Sequence, residues 1–244
     1  MNRKTTDSGA RIKVTRNGPY IVTGHVPLSE QIIVADSGGD TVAWREGRRF
    51  PEQETYALCR CGKSGNMPFC DGTHISIGFK VVDTASRVPY IEQARVIEGP
   101  GLKLTDAEAL CASARFCKRA GGVHRLTLRS SRPEAKQLAI EESVLCPAGR
   151  LVAWTKENNA IEPDLVPSIG LVEDPQAGVS GPIWVRGGIP IESADGTLWE
   201  VRNRVTLCRC GISANQPFCD GSHLDGDESV EPTADGRRLT ASKP

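Results

Sequence analysis

Short apolar runs cut by glycine and proline occupy both ends of the chain. Gly18-Pro19-Tyr20-Ile21-Val22, Gly24 and Pro27-Leu28 form one such stretch, and Gly181-Pro182-Ile183-Trp184-Val185, Gly187 and Pro190-Ile191 form another. Runs of this length with such punctuation predict short β-strands joined by turns. The middle of the chain reads differently. Thr105-Asp106-Ala107-Glu108 has capping-box spacing and leads into an alanine-rich stretch reaching Cys111, which predicts a helix starting there. Pro133, after Ser131-Arg132, predicts a second helix, with Ala135, Leu138, Ala139 and Glu142 at helical spacing up to the break at Cys146-Pro147. A strand is expected at Leu151–Trp154, and the four prolines between Glu162 and Pro182 predict a connector. The pattern as a whole is mainly β with a small α+β insert.

The apolar runs belong to an internal repeat. Leu58-Cys59-Arg60-Cys61-Gly62 and Pro68-Phe69-Cys70-Asp71-Gly72 recur 149 residues later as Leu207–Gly211 and Pro217–Gly221. The opening Gly-Pro strands recur at an offset of 163, so the first copy carries 14 extra residues between its opening strand and its cysteines. The repeat divides the chain into a first module at 1–90, a middle segment at 91–160 and a second module at 161–244.

Composition narrows the chemistry. The 244 residues are 39% hydrophobic, enough to bury a sizeable core. Thirty basic residues balance thirty acidic ones, which argues against a nucleic-acid or anionic-membrane partner. The stretch from Met1 to Lys13 is polar and nothing reaches membrane-spanning length, so a soluble cytoplasmic protein is expected. Nine cysteines, an odd number with six at metal-ligand spacing, fit reduced thiolates on a metal better than a disulfide framework.

In each copy, Cys-x-Cys lies on one short extended segment where two thiolates can pinch one metal atom. Cys70 and His74, or Cys219 and His223, are four apart, the spacing that puts two side chains on one face of a helical turn. Asp71-Gly72 and Asp220-Gly221 supply turn and helix-start chemistry. Two pincers of two ligands each suit a two-iron cluster. Thr73 and Ser222, with the two aspartates, are expected to shape the turn or to tune the metal by hydrogen bonding. Phe69 and Phe218, beside Pro68 and Pro217, are expected to shield the loop, while Trp44, Trp154, Trp184 and Trp199 are expected in the core or strands.

These residues, Cys59-x-Cys61, Ser64, Pro68, Cys70-Asp71-Gly72-Thr73-His74 and Cys208-x-Cys210, Ser213, Pro217, Cys219-Asp220-Gly221-Ser222-His223, resemble the CDGSH iron–sulfur domain family, the mitoNEET-like proteins. The resemblance implies two [2Fe–2S] clusters. In each, the Cys-x-Cys pair would hold one iron, and the third cysteine with the histidine would hold the outer iron. It also implies a small β-rich fold that works as a dimer, so two copies in one chain predict a monomer with an internal pseudo-dimer. Zinc accepts three cysteines and one histidine as well, and structural zinc sites are the alternative. The middle segment, with Cys111, Cys117 and Cys146-Pro147, resembles a divergent mono-cluster ferredoxin domain, for which a Cys-Pro step is a familiar ending. Ser113 stands where a histidine is expected, His124 is the remaining histidine nearby, and no fourth ligand is visible. A third cluster and a scaffold with buried thiols are both open.

No catalytic triad, phosphate-binding loop or dinucleotide fingerprint appears, so enzymatic activity is not expected. The expected function is one-electron transfer between protein partners. A carrier or store that delivers clusters to apo-proteins is the alternative, and metals as mere staples of small domains are a third reading.

Overall fold

Alternation of buried and exposed positions sets up the first strands. In the computed structural model, which describes residues 9–225, Ile12 and Val14 of β1 (Arg11–Val14) and Tyr20 and Val22 of β2 (Tyr20–Thr23) are fully buried. A hairpin of β3 (Leu28–Ala35) and β4 (Thr41–Arg49) follows, then β5 (Thr55–Leu58), which leads into the first cysteines, and a short α1 (Thr73–Ser76). The middle segment contains α2 (Tyr90–Gln93), β6 (Arg95–Glu98), β7 (Lys103–Asp106), α3 (Val123–Leu128), α4 (Pro133–Leu145), β8 (Leu151–Trp154) and β9 (Ala160–Ile161). The last part adds β10 (Ser168–Asp174), β11 (Val179–Arg186), β12 (Ile191–Glu192) and β13 (Arg204–Leu207).

The two copies exchange strands. One sheet runs β12-β1-β2-β5 and the other β13-β11-β10-β3-β4, so each mixes strands from both ends of the chain. The exchange is symmetric to the residue: Ile12 pairs with Ile191 in parallel, and Ile169 pairs with Leu28 in parallel. Matching backbone bonds run from Ile12 N–H to the Pro190 carbonyl (2.9 Å) and from Ile169 N–H to the Pro27 carbonyl (2.8 Å). One buried core takes Ile12, Val14, Val22 and Leu58 from the first copy and Ile169, Leu171, Ile183 and Leu207 from the second. The chain is therefore an internal pseudo-dimer. The 14 extra residues of the first copy lengthen the β3–β4 hairpin at the edge of the five-stranded sheet.

The middle segment forms its own antiparallel sheet, β6-β7-β8-β9, with α3 and α4 packed against it around Leu102, Leu104, Val123, Leu126, Ala139 and Leu151. The expected helix from Pro133 and the strand at Leu151–Trp154 are present. Two expectations are overturned. No helix follows Thr105: the residue is a fully buried strand position whose hydroxyl donates to the Val152 carbonyl (3.3 Å) and accepts from Trp154 Nε1 (2.8 Å), leaving only a short 3₁₀ turn at Glu108–Leu110. The supposed connector holds β10, the strand that joins the two copies. Pro167 and Pro175 flank it, and Gly181-Pro182 falls where the β10–β11 register shifts, the bulge position that tolerates proline. No helix among the described residues is long and apolar enough to cross a membrane. The polar stretch expected at the N-terminus lies outside the described residues up to Ser8.

Candidate metal centres

Each cysteine loop hangs from the end of an edge strand of its sheet. After β5, the Cys59 N–H donates to the Pro68 carbonyl (2.8 Å) and the Cys70 N–H to the Ala57 carbonyl (2.9 Å). After β13, Cys208 and Cys219 make the same bonds to Pro217 and Thr206, at 2.8 and 2.9 Å. Ser64 Oγ donates to the Phe69 carbonyl (2.6 Å) and Ser213 Oγ to the Phe218 carbonyl (2.7 Å). Asp71 and Asp220 face the loop backbone. Asp71 accepts from the Gly65 and Thr73 N–H groups, and Asp220 accepts from the Ala214 and Ser222 N–H groups. The Thr73 hydroxyl and these amides hold the Asp71 carboxyl well below the usual carboxylate range. Gly72 and Gly221 adopt φ of +91° and +92°, the left-handed turn that starts the ligand-bearing helical turn.

The loops bring the predicted ligands together as pairs. Cys59 and Cys61 sulfurs are 3.7 Å apart, and Cys208 and Cys210 sulfurs 3.6 Å apart. Cys70 Sγ lies 3.3 Å from His74 Nδ1, and Cys219 Sγ 3.4 Å from His223 Nδ1. These distances have a direct meaning. Two sulfurs bonded at about 2.3 Å to one tetrahedral metal lie about 3.8 Å apart, and a sulfur and a nitrogen at about 2.0 Å lie about 3.5 Å apart. Every pair is thus spaced as two ligands of a common metal atom. Among the described residues, no three His, Cys, Asp or Glu side chains converge where a single ion could sit.

The donor set also calls for a cation. Burial pushes the Cys61 thiol up to about 11 and the Cys219 thiol up to about 12, so thiolates there need a positive centre beside them. Sequence reasoning missed the guanidinium inside each Cys-Arg-Cys, although its repetition was the available signal. Arg60 is buried, donating to Gln216 Oε1 (3.1 Å) and pairing with Asp83 (2.8 Å), and Arg209 pairs with Glu173 (2.8 Å). Each guanidinium is thereby turned away into an ion pair that ties its loop to a neighbouring element.

Cys111, Cys117 and Cys146 come together around one small pocket with Ala112, Ala114 and Phe116. Burial, reinforced by Cys146 and Cys111, pushes Cys117 up to about 11. Arg150, donating to Asp106 at 2.6 and 2.9 Å, faces Cys111 and offsets charge there. The donor set fits a group held by three thiolates. His124 is elsewhere: its Nε2 lies 2.8 Å from Asp106 Oδ2, as a partner of that carboxylate. Trp184 and Trp199 are buried, and Trp44 stacks at 4.8 Å on both Trp184 and Phe116, while Phe218 packs edge-on to Trp199 at 5.0 Å.

Residues 17–75 and 180–224 match the family described as iron-binding zinc finger, CDGSH type, and residues 97–156 match the divergent 4Fe-4S mono-cluster family. No curated protein matches the chain. The chain thus carries two regions similar to CDGSH-type iron-binding domains, flanking a segment similar to a divergent 4Fe-4S mono-cluster domain.

Proposed function

We propose that the chain is a one-electron carrier that binds two [2Fe–2S] clusters, each through three cysteines and one histidine: Cys59, Cys61, Cys70 and His74 in the first loop, and Cys208, Cys210, Cys219 and His223 in the second. The observation that carries this reading is the pairwise spacing of ligands at both loops, two on each of two metal atoms, rather than four around one zinc ion. When bound, such a cluster supplies one-electron redox chemistry. Histidine in place of one thiolate removes a negative charge and raises the potential, as two histidines do in Rieske centres. The chain's own residues hold the ligands, tie the loops down through Arg60 and Arg209, and wall them with Phe69 and Phe218. Its partners on this reading are redox proteins, and no catalysis of its own is required.

A second reading, delivery of clusters to apo-proteins, is favoured at the first loop by one observation. Cys70 is half-buried there, and Met67 and Ile75 beside it are 40% and 77% exposed, so the outer ligand pair is reachable. The test is reduction and reoxidation of the holoprotein under anaerobic conditions, followed by incubation with an apo-ferredoxin. Repeated reversible reduction with full retention of visible absorption is expected. Quantitative loss of absorption to the apo-ferredoxin would replace the electron-carrier reading with the delivery one.

A further inference from the structure

The second CDGSH loop has the middle segment as one of its walls. Cys219 packs in a buried cluster with Ala112 and Ala148, and Cys146 lies against the same cluster. A Cβ on Gly221 would come within 2.4 Å of Ser113 Oγ and 3.5 Å of the Cys111 carbonyl oxygen, so the Gly221 backbone packs directly on the Ser113 side chain and the Cys111 backbone. Asn215 Nδ2 donates to the Ala109 carbonyl (2.9 Å), and Arg115 grips Asp174 of β10 through two bonds of 2.6 and 2.9 Å. Ser113 and Arg115 both take positive φ, +55° and +65°, winding the chain tightly from Cys111 to Cys117. The opposite face of this loop carries Cys111 and Cys117 into the three-cysteine pocket, and Cys146 borders both sides. Two sets of metal-binding sulfurs therefore share a wall that is one loop thick and built of alanine, serine and glycine. The first CDGSH loop meets the second through Gly62, whose Cβ would lie 2.5 Å from the Cys210 carbonyl oxygen.

We propose that the Cys111–Cys117 loop joins the middle pocket and the second CDGSH site into one coupled redox pair, with the first CDGSH site beyond it in the order middle, second, first. This rests on the reading that the sites hold iron–sulfur clusters and carry single electrons. The exchange forms and breaks no bond. One electron leaves one centre, which is oxidised by one, and enters its neighbour, which is reduced by one, the electron having come from a one-electron protein donor. Small side chains in the wall keep the separation short, and the charge on one centre acts on the other through a medium of low dielectric.

The test uses the full chain, loaded anaerobically, reduced stepwise with dithionite and followed by electron paramagnetic resonance. His74→Cys and His223→Cys assign the two CDGSH signals, because each moves one of them. The signal that moves with His223 is expected to show splitting or fast relaxation from a paramagnetic neighbour. Joint replacement of Cys111, Cys117 and Cys146 by serine should weaken this effect by the middle centre's share and lower the iron content, while the signal that moves with His74 stays as it was. Should that variant misfold, Cys117→Ser alone, together with relaxation of both signals in the unsubstituted chain, gives the same comparison. Equal relaxation of the two signals, or iron content unaffected by the serine replacements, overturns the coupling. Loss of the clusters on reduction overturns the electron-carrier reading as well, whereas reversible reduction with equal relaxation overturns the coupling alone.

Discussion

The two CDGSH loops have the same backbone bonds, the same aspartate-held turn and nearly the same ligand spacing, yet they sit in different surroundings. At matching positions, Met67 is 40% exposed and Gln216 2%, and Cys70 is half-buried whereas Cys219 is buried. The middle segment covers Cys219 through Ala112 and Ala148, and the first copy covers Gln216, which accepts from Arg60 and from the Thr84 and Ala85 N–H groups. A tie from the first copy adds to the difference: the Tyr20 hydroxyl donates to the Cys208 carbonyl (2.8 Å), and its counterpart in the repeat is Ile183. The motif sets the pincer geometry, and the neighbours decide which loop is open to its surroundings.

The largest expected difference between the copies lies at Arg204. Fully buried at the start of β13, it forms a bidentate pair with Glu162 (both bonds 2.8 Å) and donates to the Ser143 and Cys146 carbonyls (2.7 Å each), tying the middle segment to the second copy. The matching residue of the first copy is the exposed Thr55. Breaking a buried ion pair by removing one partner costs about 3–5 kcal/mol, so Arg204→Ala should lower stability by that amount. Thr55→Ala should stay within about 0.5 kcal/mol, as surface changes do. Denaturant unfolding of the two variants checks this, and equal midpoints would contradict it.

A smaller contrast is expected at the turn glycines. Gly72→Ala and Gly221→Ala meet the same positive φ, a strain of about 1–3 kcal/mol each. A Cβ at position 72 enters open space, but at 221 it meets Ser113, so Gly221→Ala should lose about 1 kcal/mol more. Thermal unfolding of both variants measures the difference, and an equal loss would mean that the middle segment does not press on this turn.

Smallest is the effect of acid. Protonation of a ligand histidine competes with the metal for Nδ1, so clusters are lost as pH falls. Burial lowers the pKa of His223, which disfavours its charged form and keeps its nitrogen available further into acid. Replacing His223 by Cys, which removes the titrating imidazole, should therefore extend the absorption of the covered loop further into acid. Loss of absorption at the same pH with and without His223→Cys would contradict ligation by this histidine.

Much of this was legible in the sequence where the chemistry is local. Pro133 at a helix start, the strand at Leu151–Trp154 and the ligand pairs follow from neighbours within a few residues. Strand exchange was not legible, because the pairing of Ile12 with Ile191 depends on contacts across most of the chain. β10 was hidden by prolines that lie at its ends and bound it. Thr105-x-x-Glu108 has the spacing of a cap, but tertiary packing buried the threonine against Val152 and Trp154 and prevailed over the local signal. The cover on the second loop left no mark either, since Ser113 touches Gly221 from more than a hundred positions away.

The central claim, a two-iron cluster in each CDGSH loop, is tested most directly by counting iron and acid-labile sulfide in anaerobically purified chain with Cys111, Cys117 and Cys146 replaced by serine. About four irons and four sulfides per chain are predicted. Two zinc ions per chain with no sulfide would contradict it.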